Sequence, residues 1–593
     1  MRIDERSGKI VISSTNYEVA FVPEKLLAIL QKDGFYYGMC MLSAVDTLNA
    51  RDAGQCAPEI SVVEKTEHAV HVTIRSDSSI WQQKICHYLF QDEQVEYWIE
   101  LHGQGQVDRV YYFRGLIEGN EVASVPGFTQ IFSPQANFIE KQVFHANEYT
   151  AIAAGNDENV FKSVGAFALH GAPLCFVFHD EGKPACLAAG ILAKAGEYQF
   201  HAFEVNHGEH GTQALSLAYH GHLQVNGIWH TPRVRLQFGP DRFKLIENYL
   251  AALAKYGGTV KRDRPYEPWT YRPIYCTWHD QEAAAMQNAR KSKFSFARDN
   301  LLPQFFAQCN QANCERWLGL LKRHGVKPGT IIIDAKWQVL AGDPFADEAK
   351  FPNLRGFVDA CHADGIKVML WFNGWDREGI PDEECIYVNG KPAHADPTNP
   401  AYRKRAAAYI RRMLSDEPGC YNADGLKVDG MTATPGGRTL KTHSGSAGFE
   451  LAREFLKLLF DAAKATKEES AIGQFTACPY LADLCDIART GDLFTIKGDS
   501  ITTNAFRARI QRLVMPQVAI DTDGAQEFNY VLPFREIIEK QAEIGVPCIY
   551  QAELLLQQRL YCIPQIRPLT DDDYAAIARV WRRNETGCKT VRE

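Results

Sequence analysis

The sequence predicts an α/β protein, a (β/α)8 TIM barrel preceded by an antiparallel β-sandwich, on three observations. Up to about Pro240, short runs of alternating polarity are separated by turn residues. Beyond about Arg264, short apolar runs alternate with long amphipathic stretches. Eight of those apolar runs, finally, can be counted as buried strands, and charged or polar residues collect where six of them end.

The first part contains KIVISS, YEVAFVP, HAVHVTIRS, KICHYLFQ, QVEYWIELHG, RVYYFRGLI, PLCFVFHD and RVRLQFG, with Gly, Asp and Asn between them. Period-two alternation of this kind describes strands with one face buried, so residues 1–240 are expected to form two packed sheets. DRFKLIENYLAALAKYGG then has apolar residues at helical spacing and a closing glycine pair, which predicts a linking helix and linker over 241–265. Residues 266–593 are assigned to the barrel and a short C-terminal extension. The chain runs only to Glu593 after the eighth strand, which leaves little room for a further β-domain.

The eight buried-strand candidates are PIYCTW (273–278), TIIID (330–334), IKVMLWF (366–372), GLKVD (425–429), AIGQF (471–475), DIART (486–490), PQVAID (516–521) and VPCIY (546–550). A parallel barrel gathers its chemistry at the C-terminal ends of its strands. There the chain has His279 and Asp280, then Asp334 and Lys336, then Asn373, Trp375 and Asp376, Asp429, Arg489 and Asp492, and Asp521 and Asp523.

Asp429 ends the fourth run, and strand alternation turns Lys427 to the same side. An adjacent ammonium keeps a carboxylate ionised, which suits a nucleophile. Asp492 follows a glycine after the sixth run, and proximity to an ionised Asp429 would raise its pKa, as a general acid requires. Retaining glycosidases hold two such carboxyl groups roughly 5 to 5.5 Å apart. Trp278, Trp337, Trp371 and Trp375 gather at the same rim; singly each reads as packing, and together they favour a sugar cleft. Asp280, Lys336 and Asn373 complete the polar part of the candidate substrate-binding set.

Composition narrows the alternatives. The 593 residues exceed what one core serves, and 46% hydrophobic with 23% charged residues is ordinary for a globular protein. A net charge of -8 with no basic stripe tells against nucleic acid as a partner. The N-terminus has no apolar signal-peptide core and no long uncharged apolar stretch follows, so a cytoplasmic protein with no membrane partner is expected. Sixteen cysteines without paired CxxC spacing read as buried thiols rather than disulfides or zinc ligands. A metal-dependent barrel hydrolase would need clustered histidines, and only His279 stands at the rim.

Several of these segments resemble the clan of retaining α-glycosidases that comprises glycoside hydrolase families 27, 31 and 36. Tyr275-Cys-Thr-Trp-His-Asp280 is similar to the Cys-Thr-Trp-Asp of plant family 36 proteins such as raffinose synthases. Ile331-Ile-Ile-Asp334-Ala-Lys-Trp337-Gln resembles the strand 2 signature of families 36 and 31. Gly365-Ile-Lys-Val-Met-Leu-Trp371 and Asp396-Pro-Thr-Asn-Pro400 look like family 31, as does Arg489-Thr-Gly-Asp492. Leu426-Lys-Val-Asp429 looks like the nucleophile motif of both families. The match covers about Pro273 to Gln551.

The resemblance implies a nucleophile at Asp429 and an acid/base at Asp492, with Asp334, Lys427, Arg489 and Asp523 binding sugar hydroxyls. It implies no cofactor, and a small carbohydrate or α-glycoside as substrate. Self-association, common in the clan, is a further expectation. Ala335 stands where α-galactosidases of families 27 and 36 carry a second Asp, and Lys336 replaces their glycine. These departures tell against galactose, and a rim lysine would serve an acidic sugar equally well as a solvated strand end. Transfer to an acceptor sugar on the same intermediate, and a catalytically silent carbohydrate-binding protein, are the competing readings.

Overall fold

The computed structural model describes residues 1–6, 9–134, 142–143, 151–155, 172–180, 182–207, 212–292, 298–431, 434–491, 500–523, 533–557 and 565–587. Its N-terminal part consists of antiparallel sheets. Arg2–Arg6, Lys9–Ser13, Glu18–Val22, Leu27–Lys32, Phe35–Cys40 and Val125–Pro126 lie side by side in one sheet. The second sheet is built on two 18-residue strands, Val95–Tyr112 and Gln213–His230, paired antiparallel with a register shift between Val107 and Arg109.

Alternation decides which residues face inward. Along Ala69–Ser76, Val70, Val72 and Ile74 are fully buried while the residues between them reach solvent. Phe21 of the first sheet meets Tyr88 and Phe90 of the second edge-on at 6.0 and 5.9 Å, so the two sheets form a sandwich.

The linking helix runs from Arg242 to Tyr256. Asp241 caps it by accepting from the Lys244 N–H at 2.7 Å, and Gly257 ends it at φ +89°. Its apolar stripe of Leu245, Ile246, Tyr249 and Leu253 packs on the sheet. Tyr249 lies over Gly190, where a Cβ would come within 2.4 Å of the ring.

The eight barrel strands are β1 (Ile274–Cys276), β2 (Thr330–Ile333), β3 (Lys367–Asn373), β4 (Gly425–Asp429), β5 (Ala471–Gln474), β6 (Ile487–Arg489), β7 (Ala519–Asp521) and β8 (Cys548–Ile549). All pair parallel in sequence order, and β8 returns to β1 through Ile274↔Cys548. The Val546 N–H donating to Ile520 O at 2.7 Å joins the β7 and β8 segments and closes the ring. Seven of the strands fall within the runs expected from sequence, and β3 overlaps its run and extends one residue beyond it, to Asn373.

Ile274, Cys276, Ile332, Met369, Ala471, Ile487, Ala519 and Cys548 fill the barrel interior, and amphipathic helices cover its outside. Between β5 and β6 the helix is reduced to a 3-10 turn, Ala482–Leu484. Strand 1 is shorter than expected: Thr277 turns the chain, and Trp278 opens the helix Trp278–Ser292.

The sandwich abuts the barrel on the helix Gly448–Thr466. Glu450 accepts from the N–H groups of Gly196 and Tyr198, and Tyr198 stacks on Tyr480 at 4.1 Å. The described cysteines are free thiols, nearly all buried. Among the described residues, no helix is long and apolar enough to cross a membrane.

Candidate active site

Strand β4 delivers Asp429 to the mouth of the barrel. Residues 425–428 are buried and Asp429 is the first to open, with its side chain 32% exposed. Parallel register sets Asn373 of β3 beside Asp429 and Trp371 beside Lys427. The next residue must be glycine: Gly430 has φ +72°, and a Cβ there would lie 2.7 Å from Asn373 Oδ1.

Three groups hold the Asp429 carboxylate. The Trp371 indole N–H donates to Oδ2 at 3.1 Å, the Gly430 N–H donates to Oδ1 at 3.0 Å, and Arg489 Nη1 lies 3.7 Å from Oδ1. Burial pushes the carboxyl pKa up, but the Arg489 and Lys427 charges and these hydrogen bonds outweigh it and hold the group below its ordinary value. Asp429 is therefore an accessible, ionised carboxylate with no proton to give.

Both flanking cations are tied down behind it. Lys427 Nζ lies 2.5 Å from Asp334 Oδ2, and both side chains are buried. Burial and Arg489 lower the lysine pKa, while Asp334, Cys276 and Asp429 raise it and prevail, so the ammonium keeps its proton. The Cys276 thiol, pushed well up by burial, stays protonated and donates to the same Asp334 oxygen at 3.1 Å. Asp334 is fixed further by its own N–H on Thr277 Oγ1 and by the Ala335 N–H on its Oδ1.

On the other side, Arg489 Nη2 donates to both oxygens of Asp523 at 2.9 and 2.8 Å. Asp523 in turn accepts from the Tyr550 hydroxyl, and its N–H donates to Asp521 Oδ1 at 2.9 Å. Burial and the nearby Asp523 charge push the Asp521 carboxyl up to about 6, against the opposing pull of Arg489.

The helix Ser500–Val514 secures the end of β6. Gln511 donates to Arg489 O at 2.6 Å, and Arg507 donates to the carbonyls of Thr490 and Gly491, both at 2.8 Å. Gly491 takes φ +85° on the way to Asp492. Asp492 itself lies outside the described residues.

The structure thus brings Asp334, Trp371, Asn373, Lys427, Asp429, Arg489 and Asp523 together. Other expected members of the site are placed elsewhere. Trp337 is fully buried, bonded through its indole N–H to Trp371 O and packed edge-on against Tyr421. Trp375 is buried and stacks on Phe455 at 4.5 Å. Trp278 packs against Phe305 and Phe306. Of the four tryptophans, Trp371 alone bonds to Asp429. Lys336 reaches the Glu378 carboxylate at 2.5 Å, so its charge is matched within the protein.

Asp280 is bonded within the protein. Its buried carboxylate accepts from the Tyr275 hydroxyl at 2.8 Å and from the Ala552 and Glu553 N–H groups at 2.5 and 3.1 Å. It ties the end of β1 to the segment after β8 rather than facing substrate. Burial pushes it up to about 6 in spite of these donors. Asp280→Asn turns an amide N–H₂ toward groups that themselves donate, and should lower stability by about 2–3 kcal/mol while leaving KM of the folded fraction unchanged. Urea unfolding beside steady-state kinetics separates this from a substrate contact, which would raise KM at constant stability.

Sequence reasoning did not single out Cys276, Glu378 or Tyr550. Tyr550 ends the eighth apolar run, and its position at a strand C-terminus was the available signal. Among the described residues, no three His, Cys, Asp or Glu side chains converge as a metal site would require.

By sequence, no family model and no curated protein matches the chain. Solved structures match it over nearly its whole length. An α-N-acetylgalactosaminidase from Bifidobacterium bifidum, solved as a quadruple mutant, matches at TM-score 0.57 and 12% identity, covering 97% of this chain and 92% of that one. A family 31 sulfoquinovosidase from E. rectale, in complex with an aza-sugar inhibitor, matches at TM-score 0.56 and 11% identity, over 99% and 83%. A family 36 α-galactosidase from Geobacillus stearothermophilus matches at TM-score 0.51 and 11% identity, over 99% and 86%. The chain shares the fold of these glycoside hydrolases.

Proposed function

We propose that this protein is a retaining α-glycosidase in which Asp429 is the nucleophile and Asp492 the general acid/base. One observation carries the reading: of the four carboxylates gathered around Lys427 and Arg489, namely Asp334, Asp429, Asp521 and Asp523, Asp429 alone is open to the barrel mouth. Its side chain is 32% exposed, against 3% for Asp334 and 0% for Asp523. A sugar entering the mouth meets an ionised oxygen at its anomeric carbon, with cation-bound carboxylates below to accept its hydroxyls. The fold shared with known glycosidases supports the same reading.

In the first step an Asp429 oxygen forms a bond to C1 as the glycosidic C1–O bond breaks, and Asp492 gives its proton to the departing oxygen. In the second, water attacks C1, Asp492 takes the water proton, and the ester bond to Asp429 breaks. Two inversions leave the product α. Trp371 and Gly430 hold the carboxylate in line for attack, and Lys427 and Arg489 keep it ionised between turnovers.

The test is a panel of 4-nitrophenyl α-glycosides covering gluco, galacto, xylo, N-acetylgalactosaminyl, glucuronyl and sulfoquinovosyl forms, with the first-formed anomer read by NMR. Release from one glycoside with the α-anomer appearing first is expected. The β-anomer appearing first would overturn the covalent mechanism, and silence across the panel would favour an acceptor requirement or a binding protein. Product analysis with added acceptor sugar separates transfer from hydrolysis.

A further inference from the structure

Each of the two cations beside Asp429 has a second partner, and one side chain touches both arrangements. Tyr550, following β8, donates its hydroxyl to Asp523 Oδ1, the carboxylate that Arg489 grips. The face of the same ring lies 5.4 Å from Lys427 Nζ, within the range of a cation–π contact. Tyr550 is buried, and the His279 ring meets it edge-on at 5.0 Å. The ring thus bridges the Lys427–Asp334 pair on β4 and β2 to the Arg489–Asp523 pair at the ends of β6 and β7. Nothing in the proposed chemistry uses it.

We propose that Tyr550 is a positioning residue for the nucleophile: its hydroxyl neutralises part of the Asp523 charge so that Arg489 stays shared with Asp429, and its ring backs Lys427. Arg489 sits between two carboxylates, 2.8 Å from one and 3.7 Å from the other. The division of its charge depends on how strongly Asp523 competes. A phenol donating to Asp523 weakens that competitor, and removing the phenol draws Arg489 away from Asp429. The charged and titratable groups that face this assembly are Cys276 from β1 and His279 after it, Asp334 after β2, Lys427 and Asp429 from β4, Arg489 from β6, Asp521 from β7 and Asp523 after it, and Cys548 from β8. The inference rests on the glycosidase reading for its consequence in catalysis, but the electrostatic claim stands on the contacts alone.

The experiment replaces Tyr550 by Phe, which keeps the ring over Lys427 and deletes the donor. Two readouts are taken against pH: the acidic limb of kcat/KM on the glycoside found by the panel, and the fluorescence of Trp371, whose indole donates to Asp429. The Trp371 signal is isolated as the difference between each protein and its Trp371→Phe counterpart, and its assignment is checked by its loss in Asp429→Asn. Tyr550→Phe should move both midpoints upward by about half a unit, the size expected for one lost hydrogen bond relayed through a shared arginine. In an Asp523→Asn background the same substitution should produce no further shift. Installing 3-fluorotyrosine at position 550, a stronger donor that preserves shape, should move the midpoints downward, and it reads the proposal even where Tyr550→Phe fails to fold.

Unchanged midpoints in folded Tyr550→Phe, or a shift of the same sign with 3-fluorotyrosine, overturn the positioning role. A parent that turns over no glycoside of the panel, with or without an acceptor sugar, and whose Trp371 signal still shifts as stated would count against the glycosidase reading and leave the role of Tyr550 intact.

Discussion

Asp429→Asn should lower kcat by roughly 10^4-fold or more while the protein remains folded, the scale seen when an essential catalytic carboxylate or nucleophile is removed. The amide occupies nearly the same volume and its single oxygen can still accept from one of Trp371 and Gly430, which bond to different carboxylate oxygens in the parent, but it cannot form the glycosyl ester. In Asp429→Gly, which does clear that volume, azide should restore release from substrates with good leaving groups, because a small anion can enter the space under C1 left by the carboxylate. The product would be the β-glycosyl azide, since only one inversion occurs. Measured rates within tenfold of the parent, or azide product of α configuration, would remove Asp429 from the role. The pH dependence has a definite sign. The folded-state pKa of Asp429 is depressed, so its ionisation contributes stability above the unfolded carboxyl range, and that contribution is lost as pH falls through the folded-state value. The parent should lose activity on the acid side over the same window.

The barrel was legible in the sequence because buried parallel strands are short apolar runs, and six of the eight end at residues that cannot be buried unpaired. The linking helix was legible from its cap and stripe, Asp241 before it and Gly257 after it. Alternation also placed Lys427 on the same side as Asp429, and the charges of the two groups do act on one another.

What sequence position does not contain is which way a loop side chain turns once its strand has ended. Trp337 and Trp375 leave strand ends near the nucleophile and turn into packing against Tyr421 and Phe455. Asp280 stands where a substrate-binding acid would stand, yet three backbone or hydroxyl donors from Tyr275, Ala552 and Glu553 capture it, and two of those come from a segment more than 270 residues away. Lys336, read as a rim charge, meets Glu378 from the loop after β3, a pairing across two loops that no local pattern encodes. Tyr550 was read as the last residue of a strand; its importance arises only when β8 closes on β1 and the ring comes over Lys427.

The second large effect is expected at the Lys427–Asp334 pair. Asp334→Ala leaves an ammonium that is 5% exposed with a thiol and an aromatic face as its nearest remaining company, and with Arg489 repelling it. Removing one partner of a buried ion pair costs about 3–5 kcal/mol, because the surviving charge stays desolvated without compensation. Urea unfolding should show that loss, and activity should fall with it. Loss of activity alone does not show whether the pair serves folding or the sugar, so the double variant is decisive. Asp334→Asn combined with Lys427→Met removes both charges and fills the space with an unbranched apolar chain, which should recover most of the stability. If the pair also orients hydroxyls of the glycone and helps hold Asp429 ionised, the recovered protein remains poor in kcat/KM, and its acidic limb moves upward because a cation beside the nucleophile is gone. Recovery of stability and activity together would make the pair a structural strut, and would leave Arg489 as the single cation on which the nucleophile depends.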